Sequence, residues 1–110
     1  MKNEKINLQS PAEKLLESMN IRFVHIQNNS HNQYYRANQN KKFKGFPDLE
    51  IYFKHGKNVF IEFKNKGDEN KNKKTREAQI EWEGYLVKNG YRYYLINEIE
   101  KFIDILERYK

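Results

Sequence analysis

The chain has no cysteine, only two prolines, one tryptophan and five glycines, and no apolar run approaching the length of a membrane span. Without cysteine, disulfide scaffolds, thiolate-bound zinc and thiol catalysis are excluded, and a reducing, cytoplasmic setting is expected. The polar opening MKNEKINLQS lacks a signal-peptide pattern, so no membrane association is expected. Aliphatic side chains are scarce, and the mean hydropathy is −1.09. Eight Tyr and seven Phe supply the apolar area that the aliphatics do not. What abounds is charge. A third of the residues are ionic, with a net +6. That excess favours a polyanionic partner, although a chain rich in Lys and Asn also follows from AT-rich coding alone. At 110 residues the chain is expected to form one domain, 1–110, with a modest core.

Periodicity gives the elements in order. Ser10-Pro11-Ala12-Glu13 predicts a helix start, with Ser at the N-cap, Pro at N1, Glu at N3 and Leu15, Leu16 and Met19 inward. Ile21–Ile26 suits a strand, and Gln27–Lys44 is a long polar connection. After a hairpin and a second Lys/Asn-rich loop, Thr75 can cap a helix to about Lys88, with Ala78, Trp82, Tyr85 and Leu86 inward and Gly90 as its stop. Tyr91–Ile96 is strand-like, and Asn97-Glu98-Ile99-Glu100 has the form of a capping box. It opens a last helix with Phe102, Ile103, Ile105, Leu106 and Tyr109 inward. The order α-β-β-β-α-β-α implies an α/β (α+β) fold, a mixed sheet flanked by helices.

The hairpin, Gly45 to Lys64, concentrates the chemistry. An Asp follows a Gly-x-Pro turn, and the second strand carries a Glu inside and a Lys at its end. Unpaired charge in such a strand is costly, by several kcal/mol in rough terms. Pairing the strands around Lys54–Asn58 sets Ile51 opposite Ile61 and gathers the strong apolar residues on one face. Asp48, Glu50, Tyr52, Phe60, Glu62 and Lys64 then share the other. That register faces Glu50 with Glu62, a repulsive arrangement unless a cation lies between them. Glu50 is thus either a third acidic ligand or a solvated residue paired with a lysine.

Gly45-Phe46-Pro47-Asp48 followed by Ile61-Glu62-Phe63-Lys64 resembles the PD-(D/E)xK nuclease signature. More narrowly, it is similar to the small stand-alone VRR-NUC type, common in phage-like genomes. Glu13, Gln79 and Gly90-Tyr91 extend the resemblance over most of the chain. It implies a restriction-endonuclease-like αβββαβ core and a metal-dependent DNA endonuclease. Such an enzyme would be a homodimer acting on branched or junction DNA in a bacterial or phage-infected cell. Nicking of ordinary duplex is the alternative within that chemistry; a non-catalytic nucleic-acid-binding module is the alternative outside it.

Phosphodiester hydrolysis needs an activated water and neutralisation of developing charge, which divalent ions can supply. Asp48 and Glu62 are the candidate ligands, and oxygen-only coordination favours Mg²⁺ or Mn²⁺. The resemblance adds the main-chain carbonyl of Phe63. Lys64, on the face of Glu62, can orient water or stabilise phosphate charge; the alternative is a structural Glu–Lys pair. Glu13 is either the N3 residue of a capping box or, by resemblance, a metal-site residue. Gln79 is either helix surface or a polar residue reaching the site. His25, His31 and His55 lack metal-ligand spacing. Arg36, Lys41, Lys42 and Lys44, flanking the site in sequence, are expected to contact the DNA backbone.

Overall fold

The computed structural model describes residues 5–26, 44–69 and 72–110. A π-helical turn, Lys5–Gln9, runs into α1 (Ser10–Ser18). Strands β1 (Arg22–His25), β2 (Leu49–Tyr52) and β3 (Asn58–Phe63) follow. Then come α2 (Lys73–Lys88), β4 (Arg92–Ile96) and α3 (Ile99–Tyr109). The strands form one mixed sheet in the order β1-β2-β3-β4. The first three are antiparallel, and β4 is parallel to β3 after the α2 crossover. A parallel return needs such a crossover, which the sixteen-residue helix provides.

One face of the sheet makes the core. Leu49, Ile51, Val59, Ile61 and Phe63 point into it and meet Leu8, Ala12 and Leu16 from the N-terminal helix and Phe102, Ile105 and Leu106 from α3. The other face is covered by α2 through an aromatic layer. The Phe46 ring stands edge-on to both Phe60 and Trp82, and Phe60 meets Tyr91. Trp82 is therefore packing material, as its place on the apolar stripe suggested. No described helix is long and apolar enough to cross a membrane.

Four local expectations are corrected. Ser10 does not cap α1, because the chain is already helical at Gln9 and no side chain caps it. The N-cap of α2 is Asn72, whose side chain accepts the Thr75 N–H at 3.1 Å. Asn97 is not the cap of α3 either. It donates to Glu69 and accepts from Lys101, bracing the loop after β3 against that helix. Finally, Tyr85 and Ile103 are exposed rather than inward.

The hairpin register also differs, by two residues. Leu49 faces Ile61 and Ile51 faces Val59, with a tight turn over Lys54–Gly56 closed by the Phe53 N–H on the Lys57 carbonyl. His55 and Gly56 both take positive φ there, a geometry that shortens the loop. A two-residue shift preserves both faces, so burial alone does not choose between the registers. The turn does.

Candidate active site

The corrected register changes which carboxylates meet. Glu50 stands across from Phe60, not Glu62. Its carboxylate accepts from Asn58 Nδ2 at 2.9 Å, and it interacts with the Tyr52 hydroxyl. It does not face Glu62, and among the described residues it forms no lysine pair. Continuing the same register by one residue brings Asp48 across from Glu62.

Asp48 is placed by backbone on every side. Its N–H donates to the Ile61 carbonyl at 2.9 Å, its carbonyl accepts from Ile26, and its Oδ2 accepts the Phe63 N–H at 2.8 Å. Pro47 is fully buried before it. Gly45 has φ +84, and a Cβ on it would lie 2.5 Å from the Ala78 carbonyl carbon and 2.7 Å from Gln79 N. The bare glycine thus lets the approach to Asp48 press directly on the backbone of α2. This contact seats Gln79 over the strand, where its Nε2 donates to Glu62 Oε2 at 2.9 Å. Glu62 is 3% and Gln79 5% exposed.

Burial holds the Asp48 carboxyl above its ordinary value. The Phe63 N–H, a hydrogen bond with Glu62, and the charges of Lys64 and His25 pull in the opposite direction. Two contacting carboxyls largely out of water need a shared proton or a cation. Lys64 is half-buried beside them, its N–H tied to Ile96 of β4.

Glu13 settles between its two readings in an unexpected way. Its Oε2 bonds His25 Nδ1 at 2.7 Å and accepts from Gln9 Nε2 at 2.9 Å. Its side chain faces the sheet rather than the helix end, and the His25 it holds is the one whose charge Asp48 feels. Gln9 and His25 are the members that sequence reading missed. The spacing of Gln9 four residues before Glu13 was a signal, hidden because the helix was expected to start after it. Behind Glu62 lies a second polar layer. The Tyr93 hydroxyl is pushed well up by burial and by Glu62, and Arg76 sits close to Tyr93, with its Nη2 3.7 Å from Glu83. Tyr93 and Arg76 carried no motif in the sequence.

Asp48, Glu62, the main chain of Phe63, Lys64 and Gln79 therefore converge at one sheet end, with Glu13 joined through His25. Lys44 is exposed at the turn before Gly45. Arg36, Lys41 and Lys42 lie outside the described residues. Among the described residues no three Asp, Glu or His side chains converge as a ready metal cage. The donors fit a hard cation held by two carboxylates that keeps water in its remaining positions, and fit zinc poorly.

The class that fold and site define is a mixed α/β protein with a buried and a half-buried carboxylate in contact, and a lysine beside them, at a sheet end. Comparisons with family models, curated proteins and solved structures found no match. What the site can do rests on its own geometry.

Proposed function

We propose that this chain is a metal-dependent endonuclease that hydrolyses phosphodiester bonds in DNA. One observation carries the reading: Asp48 and Glu62 are in contact at the sheet end with Lys64 two residues beyond, and the backbone and Gln79 hold both carboxylates in place. Asp48 and Glu62, with the Phe63 carbonyl, would hold Mg²⁺ or Mn²⁺, which when bound supplies Lewis acidity and a water of lowered pKa. Gln79 fixes the orientation of Glu62 through its amide. Lys64, whose charge Asp48 feels, would place a positive charge where negative charge develops on the phosphate. The resemblance to VRR-NUC nucleases supports the same reading and extends it to a homodimer acting on branched DNA.

The test is incubation of the purified protein with labelled duplex, flapped and four-way DNA, with Mg²⁺, with Mn²⁺ and with EDTA. Cleavage is expected only with metal, and Asp48→Ala and Glu62→Ala should each abolish it while the protein still folds. Asp48→Ala leaves the Phe63 N–H without its acceptor and Glu62→Ala does the same to Gln79 Nε2, so each variant should lose about 1–3 kcal/mol of stability while keeping the fold. Undiminished cleavage in EDTA or by Glu62→Ala would defeat the proposal. Metal-independent DNA binding without any cleavage would favour a binding module instead.

A further inference from the structure

The outward face of α2 carries residues that its own chain does not explain. Gln79 and Leu86 are buried on the inner face, and Trp82 between them is half-buried. At about 3.6 residues per turn, Gly84 stands on the opposite line of the helix. A Cβ built on it would find nothing within 4 Å. Unlike Gly45, Gly56, Gly67 and Gly90, it does not take positive φ. Neither packing nor backbone conformation therefore asks for a glycine, which weakens a helix interior relative to alanine. One turn to either side, Ile80 is 50% and Val87 56% exposed.

The charges on this face are equally unsettled within the chain. Glu77 and Glu81 are exposed one turn apart, a like-charge spacing that weakens a helix. Lys88 is exposed as well, and the positions three and four residues before it, where a carboxylate would pair with it, hold Tyr85 and Gly84. None of these three charges forms an ion pair among the described residues. An exposed mid-helix glycine, exposed aliphatics and unpaired charge each break a local preference, and their coincidence on one face marks a surface that is covered in use. Its two carboxylates turn away a nucleic-acid backbone, so the cover is protein.

The pattern is complementary to itself. Along the line through Gly84, Ile80 and Val87 fall on one side, and Glu77, Glu81 and Lys88 on the other. A twofold axis at Gly84 that sets two copies of α2 antiparallel keeps the two apolar sides together and the two charged sides together. Ile80, about 6 Å before Gly84 along the helix, then meets Val87 of the second copy, about 4.5 Å after it. On the other side Lys88, about 6 Å after Gly84, comes between Glu81 and Glu77 of the second copy, about 4.5 and 10.5 Å before it. Glycine at the crossing allows the short end of helix spacings, about 8 Å. A parallel pair would instead set like charges at the same height. We propose that α2 packs antiparallel against α2 of a second copy about Gly84, forming a twofold dimer. Gln79 lies on the inner face of α2, so this pairing does not displace it. The use of the dimer to join two cutting sites rests on the nuclease reading; the association itself does not.

The experiment measures solution mass by sedimentation equilibrium, in EDTA and without DNA, over a range of protein concentrations. The parent should associate reversibly to the mass of two chains. Lys88→Glu, and separately Glu77→Lys/Glu81→Lys, should each raise the dissociation constant by about tenfold or more, because every change acts twice across a twofold. Combining all three changes exchanges the signs and should restore association. Gly84→Leu should leave a monomer, and since leucine favours a helix the variant should keep its circular dichroism and cooperative urea unfolding. A parent that stays monomeric, a Gly84→Leu dimer as tight as the parent's, or a triple variant no tighter than Lys88→Glu overturns the proposal. No step needs cleavage. A protein that dimerises as expected and cuts nothing would remove the nuclease reading alone, and one that cuts while Gly84→Leu still dimerises would remove this surface alone.

Discussion

At the residue scale, Gly45 shows how one missing side chain joins two parts of a site. A Cβ there meets the α2 backbone at 2.5 Å, and φ is +84, so Gly45→Ala combines strain with a clash that no rotamer relieves. A loss of roughly 2 kcal/mol or more in urea unfolding is expected, together with displacement of Gln79 from Glu62. A loss below 0.5 kcal/mol, the level of an ordinary surface change, would contradict the close approach. Lys64 makes a different kind of prediction. If its charge acts on the transition state, Lys64→Ala should slow cleavage on the order of 10²–10³-fold with DNA affinity nearly unchanged. Equal losses in rate and binding would reduce it to a phosphate contact. Glu13 illustrates the limit of local patterns. Ser10 and Glu13 have the spacing of a capping box, but a box forms only where the helix begins, and the helix begins earlier. Freed from that role, Glu13 turns to His25.

At the element scale, the two helix starts after the hairpin were placed within a few residues while their chemistry was misassigned. Thr75, Asn97 and Asn72 are all competent caps by composition, and the choice depends on where the backbone leaves the preceding loop. Asn72 holds the Thr75 N–H, so Asn72→Ala should cost about 1 kcal/mol in denaturant unfolding, and Asn72→Asp almost nothing. Equal stability of Asn72→Ala and the parent would show that the cap is idle. The hairpin makes the same point for strands. Alternation of apolar and polar residues decided which side chains share a face, and the observed pairing keeps both sets intact. It could not decide the offset between strands, because offsets that differ by two residues bury the same faces. The positive-φ pair His55–Gly56 closes the shorter turn, and with it Asp48 rather than Glu50 arrives opposite Glu62.

At the scale of the whole molecule, a small domain has one such site and little surface with which to enclose a duplex. Paired cuts therefore call for two copies, and a twofold dimer suits a twofold branched substrate. Faster cleavage of a four-way junction than of its matched duplex is expected, with a solution mass of two chains. A monomer that cuts both at equal rates would remove the junction proposal and leave the catalytic one standing. The sequence by itself determined the element order, the mixed sheet, the two-faced hairpin and the candidate carboxylates with their lysine. Each depends on local propensity, period-two alternation or short spacing, which the linear chain carries. Only the tertiary structure decided the hairpin offset, the turning of Glu13 onto His25 and Gln9, and the seating of Gln79 on Glu62 through Gly45. Those features arise where elements distant in the chain pack together, and whether a polar side chain caps, pairs or stands exposed is set by which neighbours fill the space around it.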